Sequence, residues 1–312
     1  MTNRKILVTP RSITRAGHPA LQRLEAAGCE IVFCAKDKMP DEAELLELVP
    51  DCVGWLTGVE PVSERVLESA KQLKAISRNG TGVDRIDLKA AQRLGIRILR
   101  AEGANAQGVA ELTIGLTLAL VRSIPFSDRH LKTAGWERRK GIELQDRVMG
   151  LIGCGKIGQR VAVMATGLGM PVVGHDPYLD ESFAEPDGFR YAPLDEVFAE
   201  ADVLSLHCPP PSDGEPLVDR RRIDAMRDGV YLVNTARGDL LDDQAVLDAL
   251  DSGKIAGVAI DAYRNEPPGD DPLVQHEKVI ATPHIGAFTE ESVTRAVEVA
   301  VDNLLEALAE GD

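Results

Sequence analysis

Short apolar runs that do not alternate recur along the chain, each followed by a stretch whose apolar positions fall three and four residues apart. Runs of the first kind suit strands buried on both faces of a parallel sheet; the second kind suits the amphipathic helices that cross between them. The spacing predicts strands at Lys5–Thr9, Glu30–Cys34, Cys52–Leu56, Leu73–Ser77 and Arg97–Arg100. Helices are predicted between them at Pro19–Ala27, Glu42–Val49, Glu64–Ala70 and Leu88–Leu94. Gly28 and Gly95 close two of these helices. The alternation describes an α/β layered unit.

The pattern then changes. Ala110–Val121 reads as a long, nearly all-apolar helix with small residues on it, of the kind buried between layers or between subunits. A helix at Ile124–Thr133 follows, then a basic loop, Trp136 to Gly141, which reads as a solvated connector. Alternation resumes near Gln145. Strands are predicted after Arg147 and at Pro171–Gly174, Val203–His207, Val230–Asn234, Ala256–Ile260 and Val279–Ala281. Helices are predicted at Gln159–Leu168, Leu194–Ala199, Arg221–Met226, Asp243–Asp251 and from Glu290 to about Ala309.

Length and charge narrow the setting. A chain of 312 residues has room for two domains. Its 44% hydrophobic and 27% charged residues are those of a globular protein, and no apolar run is long enough to cross a membrane as a helix. The N-terminal residues enter a strand without a signal-peptide pattern, so a cytoplasmic protein is expected. A formal net charge of −15 argues against a nucleic-acid partner. The five cysteines form no C-x-x-C pair. Cys29, Cys34, Cys52 and Cys208 read as buried thiols, and Cys154 as partly exposed. No metal site is expected.

The strand after Arg147 runs into Gly153-Cys154-Gly155-Lys156-Ile157-Gly158, a G-x-G-x-x-G turn that opens a helix. In such a turn the first glycine permits the bend, the second lets backbone approach a pyrophosphate, and the third lets the helix lie on the sheet. The next strand ends at His175-Asp176. A carboxylate there accepts from ribose hydroxyls and repels a 2′-phosphate, which favours NAD over NADP.

Ligands of open parallel sheets bind outside the carboxyl ends of the strands. Arg237, Asp261, Glu266 and His284 all follow such ends. The grouping suits hydride transfer next to a carbonyl. Histidine serves as acid and base near neutral pH, a neighbouring carboxylate fixes its tautomer, and a guanidinium grips a carboxylate while polarising the adjacent carbonyl.

These motifs are similar to the signatures of the D-isomer-specific 2-hydroxyacid dehydrogenases. They are Gly153 to Gly158 with Asp176, Asn234-Thr235-Ala236-Arg237-Gly238, Asp261 to Pro267, and Pro283-His284-Ile285-Gly286. Asn79 to Asp84 and the Ala110-Glu111-Leu112-Thr113 helix resemble the same family, and within it the chain looks most like the 3-phosphoglycerate dehydrogenase branch.

The resemblance implies two Rossmann-like doubly wound α/β parallel-sheet domains. The NAD-binding domain (101–285) is inserted into a flavodoxin-like substrate domain (1–100 plus 286–312), with the cleft between them. It implies that His284 is the acid/base, Glu266 its partner, and Arg237 the binder of the substrate carboxylate and carbonyl. Backbone N–H groups of Gly80, Thr81 and Gly82 would hold the carboxylate, beside Asn79. Asp261 would contact the nicotinamide amide; Cys208, Pro209, Ala236 and Gly286 would line the cofactor. A homodimer through the Ala110–Val121 helix is also implied.

Two departures bear on the substrate. Where the phosphoglycerate branch carries an arginine, the aligned position is Leu56, and the chain ends after its closing helix, without the serine-sensing domain of longer members. Arg78, and Arg138 or Arg139 of the partner subunit, remain to hold an anionic tail. The expected activity is NAD-dependent oxidation of a small anionic 2-hydroxy acid: 3-phosphoglycerate or a similar acid, alternatively sulfolactate, or hydroxypyruvate and glyoxylate. A second reading is an NAD-sensing protein resembling the C-terminal-binding corepressors. A third is formate or phosphonate oxidation; formate enzymes carry a Gln-His pair, whereas Pro283 precedes His284 here.

Overall fold

The structure, a computed structural model, describes residues 4–309. The chain divides into two compact units. One runs up to Asn105 and resumes from Thr289; the other, Ala106–Phe288, is inserted between its two parts.

The first unit begins β1 (Arg4–Val8), α1 (Arg11–Ala16), α2 (Leu21–Ala26), β2 (Cys29–Phe33), α3 (Glu42–Leu48) and β3 (Cys52–Thr57). It continues α4 (Glu64–Ser69), β4 (Ala75–Arg78), α5 (Leu88–Arg93) and β5 (Arg97–Arg100). The strands form one parallel sheet in the order β2-β1-β3-β4-β5, the flavodoxin-like arrangement. Side chains from Asp41, Ser63 and Asp87 accept from N–H groups in the first turns of α3, α4 and α5, so these helices start where local chemistry dictates. One face of the sheet packs Trp55, Leu7, Ile76 and Val66.

The second unit opens with α6 (Ala106–Val121) and α7 (Ile124–Lys132). Then come β6 (Met149–Ile152), α8 (Lys156–Gly167), β7 (Val172–His175), β8 (Phe189–Tyr191), α9 (Leu194–Glu200) and β9 (Val203–Leu206). It ends with α10 (Arg220–Ala225), β10 (Val230–Asn234), α11 (Asp243–Ser252), β11 (Ile255–Ile260), α12 (Pro272–Gln275) and β12 (Val279–Ala281). Its seven parallel strands lie in the order β12-β11-β10-β9-β6-β7-β8. Counted within the unit, the first six read 3-2-1-4-5-6, the dinucleotide-binding order, with the direction of winding reversing between β6 and β9.

The last helix, α13 (Glu290–Ala309), returns to the first unit. Val297, Val301, Leu304 and Leu308 pack there with Ile6, Val8, Leu24 and Leu56. Each such side chain contributes about 1.5–3 kcal/mol by leaving water.

Several elements differ from the sequence reading. α1, β8 and α12 were not expected; all are short, and β8 falls in what reads as a connector. α6 starts at Ala106 rather than Ala110, and α8 at Lys156 rather than Gln159. A single glycine, Gly108 in one and Gly158 in the other, interrupts the apolar periodicity of each first turn. No single helix among the described residues is long and apolar enough to cross a membrane.

Candidate active site

The glycine turn leaves β6 at the winding reversal. Gly153 has φ +95°, and a Cβ there would stand 2.5 Å from the His207 carbonyl, where β9 ends. A Cβ on Gly158 would stand 2.1 Å from the Gly153 carbonyl oxygen. Gly155 faces open space: a Cβ there would meet nothing within 4 Å. It serves as N-cap of α8 without any side-chain cap, so the first N–H groups of that helix face outward for an anion. Lys156 and Ile157 are the first residues of that turn.

Asp176, after β7, accepts from Cys154 N–H through Oδ2 (2.7 Å) and from Tyr178 N–H through Oδ1 (2.9 Å). Each carboxylate oxygen has room for a second donor, as two ribose hydroxyls require. The turn, the uncapped helix and this acceptor fit a dinucleotide. Cys154 corrects the sequence reading: it is buried, 2% exposed, with Sγ tucked against Gly174, and burial pushes its thiol up to about 12. Cys208 is half-buried and Pro209 exposed at the end of β9.

His207 was not foreseen as part of the site. It sits behind the turn, Nε2 within 2.9 Å of Ser205 Oγ, while Nδ1 is enclosed without a partner among the described residues. Burial pushes the imidazole down to about 4, so it stays neutral near pH 7.

Beyond β10, Asn234 shapes the Arg237 segment. Its Oδ1 accepts from Ala236 N–H (3.0 Å) and its Nδ2 donates to Arg237 O (2.7 Å). Gly238 admits the neighbouring loop so closely that a Cβ would stand 2.3 Å from Arg264 N. The Arg237 loop and the Asp261–Glu266 loop therefore pack together. Arg237 Nη1 donates to Ala236 O at 2.8 Å.

β10, β11 and β12 are neighbours, so Arg237, Asp261 and His284 follow adjacent strand ends. Asp261 is 2% exposed. Its Oδ1 accepts from Thr282 Oγ1 (2.6 Å) and Ile285 N–H (2.8 Å), its Oδ2 from Gly286 N–H (2.8 Å). These bonds brace both sides of His284, which holds φ +53°, a left-handed conformation uncommon for a non-glycine residue. His284 Nδ1 lies 2.6 Å from Glu266 Oε1. That carboxylate also accepts from Tyr263 N–H at 3.3 Å. A histidine whose Nδ1 is held by a carboxylate presents Nε2 outward for proton transfer.

The other expected residues lie in the first unit and in a loop of the second. In the first unit, Arg78 ends β4 and folds back so that Nη1 donates to Asn79 O. Gly80 N–H donates to Arg78 O (2.8 Å), which corrects one expectation: that amide already has an acceptor within the fold. The backbone N–H groups of Thr81 and Gly82 have none among the described residues. In the second unit, Arg139 is held by Glu277 (3.1 Å) and lies 3.3 Å over the Phe126 ring, while Arg138 is exposed.

Residues 114–286 match the family model described as the NAD binding domain of the D-isomer specific 2-hydroxyacid dehydrogenases. D-3-phosphoglycerate dehydrogenase of Methanocaldococcus jannaschii is 40% identical over 269 residues, covering 85% of this chain and 51% of that protein. The chain thus spans about half the length of the curated relatives it matches. A Thermus thermophilus protein of solved structure is 36% identical, with a TM-score of 0.86 over 98% of this chain and 97% of the other. D-lactate dehydrogenase of Aquifex aeolicus, solved with NAD and lactic acid, is 27% identical, with a TM-score of 0.83 over 99% and 96%. The protein belongs to the D-isomer specific 2-hydroxyacid dehydrogenase family, and its cofactor is NAD.

Proposed function

We propose that this chain is an NAD-dependent 2-hydroxyacid dehydrogenase, with Ala106–Phe288 the cofactor unit and the remainder the substrate unit. The observation that carries the reading is the 2.6 Å His284–Glu266 pair, at the carboxyl edge of a sheet that also holds the glycine turn and Arg237. NAD(H), when bound, supplies or takes up the hydride. Arg237 grips the substrate carboxylate with its fork of N–H donors and polarises the 2-oxo carbonyl. His284 gives a proton to the carbonyl oxygen during reduction and takes it back during oxidation. Glu266 holds the ring so that Nε2 meets the substrate. In the first unit, the Thr81 and Gly82 amides are the groups that the resemblance assigns to carboxylate binding. Asp261 braces the His284 segment, next to the place the resemblance gives to the nicotinamide amide; Cys208, Pro209, Ala236 and Gly286 line the cofactor.

The named relatives favour 3-phosphoglycerate or a similar acid with an anionic tail, for which Arg78 and Arg138 are the candidate cations. Sulfolactate, or hydroxypyruvate and glyoxylate, are the alternatives. An NADH-oxidation panel across the corresponding 2-oxo acids tests the reading; loss of NADH with none of them would refute it. An NAD-sensing protein of corepressor type would bind NADH and consume none.

Asp176→Ala removes the acceptor for the ribose hydroxyls and the repulsion of a 2′-phosphate. NADPH use is expected to gain on NADH by at least about tenfold in kcat/KM, since the removed contacts are bonds to a charged group. An unchanged cofactor ratio would contradict the role of Asp176.

The acidic chain is read as a cytoplasmic enzyme without nucleic-acid or membrane partners, and as a homodimer. Leu118 on α6, Ile124 and Leu131 on α7, and Trp136 (84% exposed) are exposed large apolar side chains of one unit, which suits contact with a second copy. Sedimentation should give twice the chain mass, and Trp136→Glu should lower it.

A further inference from the structure

A second polar assembly stands at the carboxyl edge of the first unit's sheet, beside the Arg78–Gly82 loop. Thr9 follows β1, Thr57 ends β3, and Glu60, 2% exposed, lies just beyond. One oxygen of Glu60, Oε1, accepts from Thr9 Oγ1, from Thr57 Oγ1 (2.6 Å) and from Gly58 N–H (3.0 Å). The Trp55 indole N–H donates to Thr9 Oγ1 (3.0 Å), which leaves the Thr9 hydroxyl proton for Oε1. Every donor converges on one oxygen. The other, Oε2, has no partner among the described residues.

Oε2 is not fully enclosed, so a donor from outside the fold can reach it. A purely structural bracket would need only the oxygen that is already used. Gly58 keeps Oε2 uncovered: a Cβ there would stand 2.7 Å from it. The adjacent strand adds a second bare acceptor. Thr57 pairs with Arg78 in register, Asn79 N–H donates to Thr57 O (2.9 Å), and Asn79 Oδ1 is buried without a partner. Neighbouring strands lie about 4.8 Å apart. The two acceptors thus stand at adjacent strand tips, with the Thr81–Gly82 segment following β4 on the same edge. Leu56 points into the core and brings no cation to this edge.

We propose that Glu60 is a substrate-specificity residue: Oε2 accepts from a hydroxyl on the carbon next to the 2-oxo group. This selects small hydroxylated 2-oxo acids, of which hydroxypyruvate is the simplest, and repels an anionic group at the same place. The inference rests on the dehydrogenase reading and narrows its substrate from an anionic tail to a hydroxylated one. A phosphate brought to Oε2 itself would face a carboxylate, while the Arg78 guanidinium at the same edge is turned to Asn79 O, and like charges set against each other discriminate strongly.

The test compares hydroxypyruvate, pyruvate and phosphohydroxypyruvate, which differ only at that carbon, with NADH and the full chain. The wild type is expected to favour hydroxypyruvate over pyruvate by at least about tenfold in kcat/KM, the size of one hydrogen bond to a charged group, and to favour it over phosphohydroxypyruvate. Glu60→Gln keeps the shape but turns the free acceptor into a donor. It should lower the hydroxypyruvate-to-pyruvate ratio about tenfold and raise relative use of phosphohydroxypyruvate. Gly58→Ala, which covers Oε2, should lower the first ratio too. If both substrates fall together in Glu60→Gln, the residue is only structural and the proposal is wrong. Should that variant not fold, judged by melting and NADH binding, the wild type decides: equal use of hydroxypyruvate and pyruvate, or preference for phosphohydroxypyruvate, overturns it. A wild type that reduces none of the three, nor any other 2-oxo acid, overturns the dehydrogenase reading itself.

Discussion

Replacing Arg237 by alanine is expected to lower kcat/KM for 2-oxo acid reduction by about 1000-fold while NADH binds as before. The guanidinium is assigned two tasks, and alanine removes both. Hydrogen bonds to a charged group contribute about 1.5–3 kcal/mol each, and loss of one donor to a developing oxyanion alone slows reactions by about 100- to 1000-fold. The fold around it should survive. Asn234 and Gly238 shape this loop through backbone contacts, and the Arg237 backbone carbonyl that accepts from Asn234 remains in the variant. Arg237→Lys keeps the charge but not the planar fork, so it should recover only part of the activity. Steady-state kinetics with an NADH fluorescence titration separates the two effects. Wild-type turnover in Arg237→Ala would remove the guanidinium from the mechanism.

His284→Asn is expected to lower kcat by about 100- to 10,000-fold, the range for loss of a positioned acid/base. Asparagine suits the test because it tolerates the left-handed backbone that His284 adopts at φ +53°. The Asp261 bonds to Thr282, Ile285 and Gly286 would persist, so melting temperature and NADH affinity should change little. Glu266→Gln should cost less, about tenfold, because an amide oxygen can still accept from Nδ1. If Glu266→Gln were as damaging as His284→Asn, the carboxylate would be acting directly on the substrate rather than through the ring.

Much of this architecture is legible in the residues. Strands buried on both faces announce themselves as unbroken apolar runs, and β6 with its glycine turn and Asp176 point to a dinucleotide from spacing alone. Polar residues just past apolar runs mark Arg237, Asp261 and His284. The bonds between such residues are not legible. Glu266 and His284 are eighteen positions apart, and only the adjacency of β11 and β12 brings them to 2.6 Å. Asp261 is visible as a strand-end acid, yet its three bonds to the His284 segment appear only when two loops are folded together. Glu60 gives no sequence signal, since an acid beside a proline in a short loop reads as solvated. In the structure, Thr9, fifty-one residues earlier, reaches the same carboxylate oxygen as Thr57. For α12 the residues do hold a signal: Asp271 caps it and Pro272 opens it.

The central claim is that NADH bound by this chain is consumed by a 2-oxo acid. The most direct measurement follows NADH absorbance and 2-hydroxy acid formation together, on purified protein shown by fluorescence to bind NADH. One 2-hydroxy acid is expected to form per NADH lost with at least one small 2-oxo acid. Tight NADH binding with no loss of NADH across the whole panel would contradict it and leave a cofactor-sensing protein in its place.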